Sequence, residues 1–282
     1  MILIADSGST KTEWSLVDKE GIKCTFRTSG INPYFLTEEE IRRILTREVL
    51  VELPIERITE VYFYGAGCTG TKSTENLCVL LHRIIGSDMV EVDSDLMAAA
   101  RALCGDEPGI ACILGTGSNS CVYDGRSITA QVPSLGFILG DEGSGSDIGK
   151  NLLADAMKGL LPTDIADSFF YRYNLSRENV LEAIYRRPLP NRYVAQFSHF
   201  VHEHLDNEYV RSLVRSRFEA FFRRNILSYP YRELPVHLTG SVAYHYKELL
   251  HEVASELSIR IGTVLPTPMN ELARYHADRL AE

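Results

Sequence analysis

Three short segments carry the hydroxyl, glycine and carboxylate groups that phosphate chemistry needs. They are Asp6-Ser7-Gly8-Ser9-Thr10-Lys11-Thr12, Gly115-Thr116-Gly117-Ser118-Asn119 and Thr239-Gly240-Ser241, and each follows an apolar run, at residues 2–5, 110–114 and 236–238. A buried strand that ends in a tight glycine turn directs backbone N–H groups outward, and such turns bind phosphate oxygens. Two of them can hold a polyphosphate between them. Ser9, Thr10 and Lys11 offer N–H, hydroxyl and ammonium groups to it, although Lys11 reads equally well as a solvated surface lysine. An acidic residue beside a phosphate requires an intervening cation, so Asp6 reads as a Mg²⁺ position reached through water. The alternative is a turn aspartate that bonds its own backbone.

A further carboxylate stands where a proton must be moved. Met89-Val90-Glu91-Val92 reads as a strand running into Asp93-Ser94-Asp95, and a helix is expected over residues 96–103. Phosphoryl transfer to an alcohol asks a protein to orient the hydroxyl and accept its proton, and Asp95 is placed to do both. Asp95 could instead cap the helix, with Asp93 and Ser94 competing for that role. Asn32, in Ser29-Gly30-Ile31-Asn32-Pro33, is either a ligand contact or a turn asparagine before proline. His199, His202 and His204 lack a supporting carboxylate register and read as a solvated helix face rather than a metal cluster.

The order and residue types of these segments resemble the actin-like ATPase superfamily of sugar kinases, Hsp70-type chaperones and actin. Within it, Leu139-Gly140-Asp141-Glu142-Gly143-Ser144-Gly145 is similar to the Gly-Asp-Glu-Gly-Ser stretch of the N-acetylglucosamine kinase-like branch of the BadF/BadG/BcrA/BcrD ATPases. The resemblance implies an ATP-dependent kinase phosphorylating the 6-hydroxyl of an amino sugar, N-acetylglucosamine foremost. Gly115, Thr116 and Gly117 would then form the second phosphate motif, and Gly240 and Ser241 the adenosine motif. Asn32, Ser118, Asn119 and Asp141 would contact the sugar, Asp95 would be the general base, and ATP and Mg²⁺ would be required. Leu96 stands where the family usually has a small residue, and Leu135-Gly136-Phe137 departs from the usual Gly-aromatic-Gly step.

Two readings compete with this one. An ATPase activator of 2-hydroxyacyl-CoA dehydratases would bridge two subunits with an iron–sulfur cluster; Cys112 and Cys121 flank the second glycine turn, but not at the activator's spacing. A non-catalytic actin-like nucleotide-binding protein is the third.

The elements that must hold these residues repeat. Strand, glycine turn, hairpin strand and third strand occur first from residue 2 and again from residue 110, with Asp124-Gly125 as a hairpin signal. The expected fold is α/β: two ribonuclease-H-like lobes with the active site in the cleft between them. One lobe spans residues 1–107, with a closing helix at 270–282 that packs back on it; the other spans 108–269 with a helical insertion. Thr37 with Glu40 is a capping box for a helix over residues 37–50. A single helix is expected over 243–257.

Composition narrows the partners. A net charge of -9 disfavours a nucleic-acid surface. No apolar run reaches the ~18 residues that span a bilayer. The six cysteines include no C-x-x-C pair, and with no signal-like leader they fit free thiols in the cytoplasm. The expected partner is a small amino sugar, with a homodimer as one option.

Overall fold

The computed structural model describes residues 1–8, 11–54, 57–68 and 72–280. They divide into two compact units: Met1–Glu107 with the stretch from Thr267 onward, and Pro108–Pro266. Among the described residues the strands form two five-stranded sheets, one in each unit.

In the first unit, β1 (Ile2–Ser7), β2 (Lys11–Asp18), β3 (Gly21–Ser29), β4 (Glu60–Gly65) and β5 (Met89–Ser94) lie in the order β3-β2-β1-β4-β5. Ile2, Leu3, Ile4 and Ala5 are all fully buried, as expected for a central strand covered on both faces. The hairpin strands run antiparallel, whereas β1, β4 and β5 are parallel. Their registers set Ser7 opposite Gly65 and Gly65 opposite Ser94. The carboxyl ends of these three strands therefore finish level, and Asp6 and Asp95 belong to one sheet edge. The Thr37–Glu40 capping box forms, and the helix Glu38–Ile44 runs on into a π-helical turn, Leu45–Val49.

The closing helix, Met269–Arg279, packs on the helix Asp95–Cys104. It contributes His276, whose buried Nε2 lies 2.8 Å from the Tyr64 hydroxyl and whose ring lies 3.8 Å from that of Tyr62. Arg101 donates to the same Tyr64 hydroxyl and to Glu91.

The second unit repeats the order and directions. β6 (Gly109–Leu114), β7 (Ser118–Tyr123), β8 (Ile128–Gln131), β9 (Val236–Thr239) and β10 (Ile261–Leu265) lie as β10-β9-β6-β7-β8. Helices fill residues 145–226 and bury Phe169, Phe197, Phe200, Phe218, Phe221 and Phe222 together. The arginine-rich helix Glu208–Phe221 turns Leu213, Val214 and Phe218 inward and pairs Arg211 and Arg215 with Glu252 and Glu256. The single helix expected over 243–257 is two, Ser241–His245 and Lys247–Glu256. Tyr246 interrupts it because its ring is buried and its hydroxyl donates to the Ser198 carbonyl at 2.7 Å. Among the described residues, no helix is long and apolar enough to cross a membrane.

Burial, reinforced by Arg101 and Arg279, holds the His276 imidazole down at about 3, against 6.5 for a free histidine. The folded chain keeps it neutral while an unfolded chain protonates it, so stability should fall as pH drops from 6.5 toward 3. The slope from this group is at most about 1.4 kcal/mol per pH unit. Denaturation followed by the sole tryptophan, Trp14 of the first unit, should show this acid sensitivity, and His276→Gln should reduce it. The same acid slope in both proteins would remove His276 as its source.

Candidate active site

At the first sheet edge, Asp6 is surrounded by its own charge sign. Burial first, then the Asp95 and Glu13 carboxylates, push its carboxyl up to about 7, against a smaller opposing pull from Lys11. Ser7 and Thr12 are not turned toward a ligand. Their buried hydroxyls bond each other at 2.7 Å, and the Ser7 hydroxyl also donates to the Ile31 carbonyl at 2.9 Å. The turn closes through Gly8 N–H donating to the Lys11 carbonyl at 3.0 Å, and Lys11 is exposed. Ser9 and Thr10, two of the expected phosphate contacts, lie outside the described residues.

Asp95 opens its helix at the position after the cap. Ser94 takes the capping role, its hydroxyl accepting from Met97 N–H at 3.1 Å, so the Asp95 carboxylate is not committed to it. Burial raises its pKa, opposed by hydrogen bonds from backbone N–H groups at the helix start. Asn32 is buried in a turn: its Oδ1 accepts from Tyr34 N–H at 2.9 Å and its carbonyl accepts from Phe35 and Leu36. Here the turn role is realised, and Oδ1 is already engaged.

In the second unit three distant segments meet at the Gly115–Gly117 turn. Gly145 and Ser146, at the start of the helix Gly145–Met157, donate to the Gly115 and Thr116 carbonyls at 2.8 and 3.0 Å. Gly240 has φ 115°, and a Cβ there would run into the Leu114 carbonyl, so only glycine fits that contact. Asp141 reaches the other end of the turn, where its Oδ1 accepts from Ser118 N–H at 3.1 Å. A Cβ on Gly117 would stand 3.0 Å from the same carboxylate. Asp141 is half-buried, which raises its pKa. Asn119 Oδ1 accepts from Ser120 N–H and Gln131 Nε2 at 3.0 and 3.1 Å.

A cavity of about 310 Å³ opens on this turn, lined by Gly115, Thr116, Gly145 and Ser241. Arg192, Gln196, His199, His202 and His245 line it as well. The sequence reading takes His199 and His202 as a solvated face, and both are exposed; it does not identify these residues as lining a cavity. Their signal is not in the helical spacing, because the cavity forms only where the short helices Pro190–Ala195 and Phe197–Glu203 come together with Ser241. His204 turns away and stacks on Phe200 at 4.0 Å. Among the described residues, no group of three or more histidine, cysteine or acidic side chains could hold a metal ion.

Two five-stranded α/β units with these turns define an actin-like ATPase fold, and comparison with known proteins carries the assignment further. A solved structure from Porphyromonas gingivalis, described as a candidate N-acetylglucosamine kinase, superimposes with a TM-score of 0.95 at 46% identity over 99% of both chains. A curated N-acetylmuramic acid/N-acetylglucosamine kinase from Clostridium acetobutylicum is 28% identical over 217 residues, 70% of this chain and 68% of that one. A ROK family glucokinase from Streptomyces griseus, solved with glucose and AMPPNP, shares the fold at a TM-score of 0.58 and 14% identity, covering 99% of this chain and 98% of that one. No family model matches the chain. The chain belongs to the N-acetylglucosamine kinase family of actin-like ATPase sugar kinases.

Gly240→Ala should displace the Gly115 turn, since both the backbone angle and the Leu114 carbonyl oppose a Cβ. A loss of about 2 kcal/mol or more is expected for such combined strain. Calorimetric unfolding checks it, and an unchanged transition would contradict the close contact.

Proposed function

We propose that the chain transfers the γ-phosphoryl group of ATP to the 6-hydroxyl of an amino sugar, N-acetylglucosamine first among the candidates. The observation that carries this reading is the convergence of Asp141, Gly240 and the helix start on one hydroxyl-bearing glycine turn, in a chain 46% identical to a candidate N-acetylglucosamine kinase. The Gly-Asp-Glu-Gly-Ser segment supports a place in the BadF/BadG/BcrA/BcrD branch. The relatives are sugar kinases, and the dehydratase-activator reading is not favoured.

In this mechanism the sugar 6-oxygen attacks the γ-phosphorus while the bond from γ-phosphorus to the β,γ-bridging oxygen breaks and ADP leaves. Asp95 accepts the hydroxyl proton. Its carboxyl is raised by burial, toward the range in which a carboxylate is an effective base at neutral pH. Asp141 accepts a hydrogen bond from a sugar hydroxyl and Asn119 donates one, which together fix the ring. The backbone of residues 115–117 faces the phosphates, and the cavity beside Ser241 takes the nucleoside.

The first-unit edge fits a divalent cation held by one carboxylate through water: the Asp95 and Glu13 carboxylates raise the Asp6 carboxyl more than Lys11 lowers it. Asp6 would hold Mg²⁺ through water, and the ion would neutralise charge on the β- and γ-phosphate oxygens. The demand for ATP suits the cytoplasm, as do cysteines that form no disulfide among the described residues.

Asp95→Asn should keep nucleotide binding and lose turnover by about two to four orders of magnitude, the range for a general base. Near-normal turnover would remove Asp95 from the mechanism. Asp6→Ala should weaken ATP binding in Mg²⁺ far more than sugar binding, as read by calorimetric titration; equal losses would make Asp6 structural. 6-Deoxy-N-acetylglucosamine should bind as a competitive inhibitor and accept no phosphate, whereas its phosphorylation would place the reaction at another hydroxyl.

A further inference from the structure

Asp141 carries the proposed sugar contact in a backbone conformation that its side chain does not favour. Its φ is 58°, the left-handed region, and it is not a glycine. Such a conformation persists only where its neighbours over-determine it. On the C-terminal side, Ser144 N–H donates to the Asp141 carbonyl at 3.1 Å, and Gly143 N–H donates to Asp147 Oδ2 at 3.1 Å. The residue between is Glu142, whose side chain is only 16% exposed. A carboxylate so placed needs donors, and they come from more than eighty residues along the chain. Arg224 Nη1 donates to Oε1 at 3.2 Å, and Asn225 Nδ2 to Oε2 at 3.3 Å.

Both donors sit on the π-helical turn Phe222–Ile226, which continues the helix Glu208–Phe221. A π-helical turn inserts a residue into the helical ladder and re-aims the side chains around it. Phe221, Phe222 and Ile226 are fully buried, so the turn is anchored in the core of the second unit. Gly143 lies against the same element: a Cβ there would stand 2.9 Å from the Phe221 Cβ. The loop and the turn are therefore fitted together along Glu142 and Gly143. Arg224 is largely exposed, and an exposed ion pair holds little by itself; the half-buried Asn225 amide is the firmer donor.

We propose that Glu142 is a positioning residue: its carboxylate, gripped by Asn225 and Arg224 on the π-helical turn, holds Asp141 left-handed with Oδ1 on the Ser118 N–H. Asp141 touches the sugar in the reading above, on which this rests; Glu142 acts through it. The aromatic core of the second unit thereby reaches the substrate site through two hydrogen bonds.

The test measures both substrates and one ligand-free signal. In Glu142→Ala the KM for N-acetylglucosamine should rise about tenfold, with the KM for ATP within about twofold and melting little changed. Asn225→Ala should raise the sugar KM about threefold, and the double variant should be no worse than Glu142→Ala alone, because the two substitutions remove one interaction. Glu142→Gln keeps one acceptor oxygen, enough for the Asn225 amide but not for Arg224 as well, and should restore part of the affinity. Without any ligand, hydrogen exchange of the peptide carrying the Ser118 amide should speed up in Glu142→Ala and less in Glu142→Gln. Unchanged exchange at Ser118 and unchanged sugar KM in Glu142→Ala would overturn the proposal, as would sugar and ATP constants that rise together with a loss of melting temperature. If Glu142→Ala fails to fold, Asn225→Ala decides by the same two readouts. A parent protein that phosphorylates no amino sugar would overturn the functional reading, and the exchange arm would still decide the role of Glu142.

Discussion

The peptide planes of the Gly115–Gly117 turn cannot be rotated without breaking bonds to something else, and the second unit is organised around that constraint. The Gly115 and Thr116 carbonyls are occupied by the first N–H groups of the helix Gly145–Met157. Gly115 N–H closes the turn on the Gly117 carbonyl at 3.0 Å, and Gly240 is pressed against Leu114 from the far side. A turn held this way is fixed by contacts within its own unit. The same contacts explain why residues as distant as 115, 141, 145 and 240 must come together. Each supplies a group that the turn requires and lacks, and the cavity beside Ser241 is the space left over.

The first unit uses the same strand order for different chemistry. Its glycine turn is bonded inward through Ser7 and Thr12, and what its edge offers is negative charge. Three parallel strands ending level bring Asp6 and Asp95 onto that edge, where burial and mutual repulsion raise the Asp6 carboxyl. One architecture, repeated, thus carries a tightly bonded glycine turn in one unit and a carboxylate edge in the other.

Much of this was legible in the sequence because strand-then-glycine-turn is a local signal. The buried runs at residues 2–5 and 110–114, the Thr37–Glu40 capping box and the repeat of the strand pattern all follow from short-range periodicity and turn chemistry. The capping question at Asp95 required coordinates, since Ser94 and Asp95 compete on equal terms until a backbone N–H chooses one. The break at Tyr246 was not legible, because a buried hydroxyl bonded to Ser198 overrides an unbroken apolar period. His199, His202 and Arg192 were missed as cavity residues for a similar reason: what they face is set by packing between elements, and periodicity reports only which side of a helix is apolar. At Asn32 the turn before proline, one of its two expected roles, forms through Oδ1.

The central claim is that ATP consumption by this chain belongs to the sugar. Quantifying ADP and sugar phosphate together, with and without N-acetylglucosamine, tests it most directly. The account requires one N-acetylglucosamine 6-phosphate for each ADP released, and negligible ADP when the sugar is left out. ADP accumulating at the same rate without sugar, or with no sugar phosphate formed, would contradict it.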